Sequence, residues 1–351
     1  FCTWDDKKTG LNPFIPLYPS SKGAANILMK YVVGSLLFAI RLVPVMLLVI
    51  LLLCAQLLSN LIIGAIPKHL YWSWVVSPIC NLLLGVLGVL PIRVNYGESQ
   101  KLRIRTEVNA SEMSLSAIKS GDVIISNFTG YLQILVYAAL ASDRFGFINN
   151  QGDVIECGLL TALRYAMWPT PSFFTRPGKP LESLTGHCPL VLFAEDFPTN
   201  NRAVLQFVPL AETTYAAFPH PVHLLSMSMT SRYVPGAYLV GGPILHFISL
   251  LLQTGVRVQV TWLCDRDLAL LAPPVAEKQA KPKLSLQVTH LNAKTVSKVE
   301  TKTEVVDSEK CAKYFFEVRF PELLAAMMQT QVVSLTKEDG FRFIEYYRSR
   351  G

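Results

Sequence analysis

The strongest constraint on this chain is one apolar block near its beginning. From Val32 it reads VVGSLLFAI, then Arg41, then LVPVMLLVILLLCAQLL. That is about 27 nearly uncharged residues, enough for a tilted helix to cross the hydrocarbon of a bilayer. Two geometries compete for it. One is a simple span. The other is a hairpin that enters and leaves by one face, bent near Arg41-Leu42-Val43-Pro44. Proline removes a backbone donor and kinks a helix, and an arginine at membrane depth is costly without a partner or a route to the interface. These residues favour the hairpin, a monotopic arrangement. A second block follows, LIIGAI and then YWSWVVSPICNLLLGVLGVLPI, separated by Pro67-Lys68-His69. Its Trp72 and Trp74 suit a membrane interface and its glycines suit close packing, so it reads as an interfacial or embedded helix.

The whole chain agrees with an anchor. Of its 351 residues, 51% are hydrophobic, and the mean hydropathy is +0.36. That is too apolar for an ordinary soluble domain, yet too few long blocks exist for a channel or transporter. The net charge of +7 points to the anionic face of a membrane. No basic run with interleaved aromatics appears, so no nucleic acid is expected as a partner. Seven cysteines (Cys2, Cys54, Cys80, Cys157, Cys188, Cys264 and Cys311) are scattered without a CxxC pair. This argues against a disulfide framework and against zinc, and fits a domain facing the cytosol. There the formal sequon Asn127-Phe128-Thr129 would go unused. Because the chain opens on Phe1, residues upstream of it are expected.

Composition divides the chain into a polar arm (1–24), the membrane anchor (25–94), an α/β domain (95–271), a Lys/Thr/Val/Glu-rich polar insertion (272–310) and a C-terminal helical segment (311–351). Short β-like runs occur at Ile92–Tyr96, Val123–Ser126, Pro189–Ala194 and Val256–Trp262. Helix-length segments occur at Tyr131–Ala141, Gly158–Trp168 and Pro243–Gln253. Their alternation predicts an α/β fold, a mixed sheet flanked by helices.

Two patches draw attention within this domain. The first is ISNFTGYLQ at 125–133, a strand end running into an apolar helix. Such a turn collects anions and catalytic groups on unpaired amides, although a plain strand–turn–helix looks the same. The second, PLVLFAEDFPTNNRAVLQF, again runs strand, acidic turn and polar loop with an arginine. In this order and about 65 residues apart, the pair resembles the two main motifs of the glycerolipid acyltransferase family, which includes lysophosphatidic acid acyltransferases. Asn127 and Thr129 match the first motif, Asn-His-x-Ser/Thr-x-x-Asp. Phe193, Glu195, Thr199, Asn200 and Arg202 match the second. The opening Trp4, Thr9-Gly10, Pro13-Phe14 and Pro16, and the late Phe343–Tyr347 (FIEYY), look most like fungal lysophosphatidic acid:oleoyl-CoA acyltransferases and vacuolar-sorting proteins.

The resemblance implies a membrane-anchored acyltransferase-like fold in the endoplasmic reticulum or on lipid droplets. Membrane lipids would be its partners, lysophospholipid its acceptor and acyl-CoA its co-substrate, with no metal or other cofactor. It also implies that a histidine takes the proton from the attacking hydroxyl and an aspartate orients that histidine. Those positions hold Phe128 and Gln133. Phenylalanine has no lone pair, so the base is absent, a loss of order 10³–10⁶ in rate. In the second motif, Glu195, Asp196, Thr199, Asn200 and Arg202 occupy the substrate- and phosphate-binding stretch. Asp196 and Phe197 stand where the family has Gly and Thr, adding charge and bulk that oppose a phosphate. Arg202 still suits one. Neither His187, His220, His223 nor Cys157 offers a convincing replacement base. The expectation is a catalytically impaired pseudoenzyme that binds lipid or serves as a subunit or adaptor beside a protein partner. The alternative is an active lysophospholipid O-acyltransferase with a non-standard site.

Overall fold

The computed structural model describes residues 4–17, 24–96, 115, 118–184, 186–212, 221–231, 233–265, 268 and 312–350. The expected polar insertion and His220 lie outside them.

The apolar block forms one helix, α1 (Ala24–Ser59), which runs without interruption through Pro44. The chain therefore does not reverse direction at Arg41–Pro44. Arg41 shows why a charge is tolerated there. Its guanidinium donates to the carbonyl of Gln253 at 2.6 Å, just past the end of α6 (Pro243–Leu251), where helix carbonyls lack intrahelical partners. The chain turns instead at residues 60–64 and re-enters helix as α2 (Ala65–Tyr71), a wide turn (Trp72–Val76) and α3 (Ser77–Val86). It comes back along α1: the Tyr71 hydroxyl donates to the Ala55 carbonyl, and Gly88 sits against Arg41. The two apolar blocks thus form one helical hairpin.

Beyond it lies a seven-stranded sheet in the order β1-β8-β7-β2-β5-β3-β4. The strands are β1 (Ile92–Tyr96), β2 (Val123–Ser126), β3 (Arg144–Ile148), β4 (Val154–Gly158), β5 (Leu190–Leu192), β7 (Val222–Ser231) and β8 (Val256–Leu263). β2 is parallel to β5 and β7, whereas the β7–β8 and β3–β4 pairs are antiparallel. The sheet is mixed, as the alternation predicted. A separate short pair joins β6 (Ala203–Val204) to β9 (Gln331–Val332).

The central strands are buried on both faces, which explains why VIIS and LVL read as continuous apolar runs. Ile124, Val191 and Met227 face one core with α1, α3, α4 (Tyr131–Leu140) and α5 (Leu159–Met167). Val123, Ile125, Leu190 and Leu192 face a second core with α7 (Phe320–Met328). A third, small cluster gathers Phe14 of the N-terminal arm, Phe197, and Phe343 of the last helix, α8 (Lys337–Arg350).

Candidate functional site

The first patch lies at the carboxyl end of β2, in the middle of the sheet. Residues 127–130 bridge it to α4, and Gly130 makes the turn with φ 122°. A side chain there would strike the Tyr238 carbonyl at 2.9 Å, so only glycine fits. The helix start is organised by Gln133, which is fully buried. Its carbonyl oxygen accepts from the Thr129 amide at 2.7 Å and the Thr129 hydroxyl at 2.9 Å. Its amide nitrogen donates to the Asn127 carbonyl at 2.7 Å and to Ser126 Oγ at 3.1 Å. Gln133 reaches back over the first turn and closes it, as capping side chains do.

Asn127 bonds sideways. Its side-chain oxygen accepts from the Met227 amide and its nitrogen donates to the Met227 carbonyl, at 2.8 and 3.0 Å. It therefore extends the β2–β7 pairing by a side chain.

Phe128, where the resemblance implies a base, has 0% of its surface exposed. Its ring centroid lies 4.6 Å from Phe193, 5.6 Å from Phe147 and 6.2 Å from Tyr165. This is aromatic core packing, with rings at mutually attractive offsets.

The second patch folds against the first. The Thr199 amide donates to the Phe128 carbonyl at 2.7 Å, and Asn127 Nδ2 donates to Asn201 Oδ1 at 3.2 Å. Two stretches some 65 residues apart thus meet at one place. Glu195 is fully buried: Oε2 accepts from the Leu205 amide at 3.3 Å, and Oε1 has no hydrogen-bond partner. Burial pushes its carboxyl well above the usual range, and the amides of Leu205 and Phe128 offset only part of that. Burial therefore favours its protonated form.

Asp196 takes a left-handed conformation, φ 54°. It accepts from the Ile148 amide at 2.8 Å and from Lys337 Nζ at 3.2 Å. Burial raises its carboxyl to about 7 even with Lys337 beside it. Lys337 is itself buried and lies 4.1 Å from the centre of the Phe174 ring. Asn200 is consumed by the N-terminal arm, donating from its side chain to the carbonyls of Asn12 and Ile15, each at 2.8 Å. Phe14 meets Phe197 edge to face at 5.6 Å, and α8 passes so close that a side chain at Gly340 would overlap the Phe197 ring. The arm and α8 therefore roof the second patch. Of the expected phosphate-facing residues, only Arg202 has an exposed side chain.

Of the replacement bases considered from sequence, the described ones, His187, His223 and Cys157, are engaged or buried elsewhere. His223 pairs with Asp122 at 3.1 Å and His187 with Asp143 at 3.0 Å. Burial pushes the Cys157 thiol up to about 12. A cleft of about 910 Å³ runs along Gly88, Arg93, Thr230 and Arg257 on the β1–β8–β7 side of the sheet, and neither patch lines it. The sequence reading missed the residues that build the roof, chiefly Lys337 and Phe14. Phe14 was noted only through the resemblance, and Lys337 was not singled out.

No family model matches the chain, and no curated protein matches it. Among solved structures it is similar to the 1-acyl-sn-glycerophosphate (LPA) acyltransferase PlsC from Thermotoga maritima. The two share 13% identity over 68% of this chain and 88% of that chain, with a TM-score of 0.36. Likeness at that score leaves the reading of the site to its own residues.

Proposed function

We propose that this chain is a membrane-bound protein of glycerolipid acyltransferase type whose reaction centre has been filled. It works as a lipid-binding subunit or adaptor and not as an enzyme. The observation that carries this reading is Phe128, a fully buried ring stacked among Phe193, Phe147 and Tyr165 at the place where a base would meet its substrate. Proton abstraction needs a lone pair within hydrogen-bond reach of the reacting hydroxyl, and this position offers neither a lone pair nor access.

The alternative, an acyl-CoA-dependent lysophospholipid acyltransferase, has one observation in its favour: Glu195 Oε1 is unpartnered. Its burial works against that role. Burial favours its protonated form, which must lose its proton before it can act as a base.

Membrane attachment is supported by α1. Residues Tyr31–Ser59 are long and apolar enough to cross a bilayer. Its outward side chains Val43 and Leu57, and Ile63 and Trp74 of the hairpin, are all more than half exposed. An apolar surface on this scale calls for a lipid or protein cover. A hairpin turning at residues 60–64 can enter and leave by one face, which suits an endoplasmic reticulum leaflet or a droplet monolayer with the sheet domain in the cytosol.

The test uses the purified full chain with vesicles containing lysophosphatidic acid. Vesicle binding without release of CoA from oleoyl-CoA supports the proposal. Steady CoA release that depends on lysophosphatidic acid overturns it.

A further inference from the structure

Away from the two patches, the anchor hairpin meets the sheet domain at a cluster of metal-capable side chains. Three distant segments supply it. His69 comes from α2, Asp143 from the turn before β3, and His187 and Cys188 from the approach to β5. One donor atom from each of Asp143, His187 and Cys188 lies within 4.8 Å of the other two. The fourth group closes on the sulfur: His69 Nδ1 stands 3.6 Å from Cys188 Sγ.

We propose that His69, His187, Cys188 and Asp143 form a binding site for a single zinc-class divalent cation that staples the anchor hairpin to the domain. The donor set is one thiolate, two imidazoles and one carboxylate. Such a mixture selects Zn²⁺ or Co²⁺ over Mg²⁺ and Ca²⁺, which prefer all-oxygen shells. On a tetrahedral zinc, with bonds of about 2.3 Å to sulfur and 2.0 Å to nitrogen, neighbouring donors stand roughly 3.5 Å apart. The Cys188–His69 separation already has that length. The 3.0 Å contact between His187 and Asp143 places the carboxylate as fourth ligand or directly behind the imidazole, both common at such centres. The guanidinium of Arg144 stands nearby. It is held by Glu156 at 2.7 Å and donates to the Cys188 carbonyl, not the sulfur. On binding, the metal–sulfur bond replaces the S–H bond and one proton leaves to water, so charge and atoms balance.

The location gives the cation a task. The hairpin is otherwise tied to α4 by polar bonds from Trp72, Ser77 and Asn81 to the carbonyls of Ala138 and Ala139. A metal at His69 would fix the far end of α2 to the lead-in of β5. Sequence spacing could not reveal this, because adjacent His187 and Cys188 find their partners in segments 44 and 119 residues earlier.

The experiment uses untagged full-length chain in detergent, stripped with chelator and titrated with Co²⁺. One Co²⁺ per chain should bind, with a near-ultraviolet thiolate charge-transfer band and the visible bands of a tetrahedral centre. Zn²⁺ should displace it and raise the melting temperature. Cys188→Ser should abolish the charge-transfer band. His69→Ala, at an exposed position, should weaken binding by about tenfold or more, and Cys157→Ser should change nothing. Absence of the thiolate band, or its persistence in Cys188→Ser, overturns the proposal. Should Cys188→Ser fail to fold, unchanged Co²⁺ affinity in both His69→Ala and His187→Ala overturns it as well. A melting temperature indifferent to Zn²⁺ would mean a hydrogen-bonded cluster only.

Discussion

Two side chains decide what the turn after β2 can do, and both have become structural. Gln133 uses both its donor and its acceptor inside the turn, which a carboxylate could not do, having no N–H to give Asn127 and Ser126. Gln133→Glu should therefore destabilise the protein by about 1–3 kcal/mol, read as a lower denaturation midpoint; an unchanged midpoint would mean the network carries no stability. Phe128→Ala should cost about 3–5 kcal/mol, the range for emptying an aromatic core position. Phe128→His should lower stability without bringing transfer activity.

Asp196 makes a pH prediction. Its folded carboxyl keeps a proton up to about pH 7, against an ordinary value of 3.8. The folded state thus binds more protons than the unfolded chain between those values, and stability falls as pH rises from about 4 to 7. Glu195 contributes in the same direction. Denaturation at several pH values should show the slope shrinking in Asp196→Asn; an unaltered slope would contradict the assignment. That Phe128 and Gln133 can supply neither an imidazole nor a carboxylate was legible in the sequence. The replacement hydrogen bonds were not, because they depend on how Ser126, Asn127 and Thr129 fold over the helix start.

Among elements, α1 and α8 carry the most consequence. The apolar run of α1 was plain from its length, but its expected bend was misplaced. Arg41 looked like a charge in need of a membrane surface; its partner is a carbonyl 212 residues later, beyond the reach of local reasoning. Strands β3 and β4 were not drawn as elements from sequence, as RFGFI is too short to show a period. The last helix was visible as an amphipathic segment, but its role as a roof was not. Lys337 pins it to Asp196 and Phe343 pins it to Phe14. Trp4 adds an edge contact to Phe343 at 5.9 Å. Lys337→Met, which breaks a buried ion pair, should cost on the order of 3 kcal/mol. Amide exchange should then quicken together in residues 4–17 and 337–350. Faster exchange in α8 alone would show that arm and helix are not one cover.

At the scale of the molecule, a mixed sheet whose central strands are buried on both faces presents an apolar hairpin on one side and a sealed turn at its centre. The α/β class followed from alternating short apolar runs and helix-length segments, and that inference needed no contacts. The sealing did not follow, because it requires the two ends of the chain to meet over the second patch. The Asp6 carboxylate shows how they meet, accepting from the Ser334 amide at 3.0 Å. The proposed function rests on this closed turn having no group that could take a proton from an acceptor hydroxyl. The most direct measurement is transfer of labelled oleate from oleoyl-CoA to lysophosphatidic acid by the purified full-length chain in lipid. The account predicts no incorporation above that seen with heat-denatured protein. Incorporation that continues over many turnovers and disappears in Glu195→Ala would contradict it.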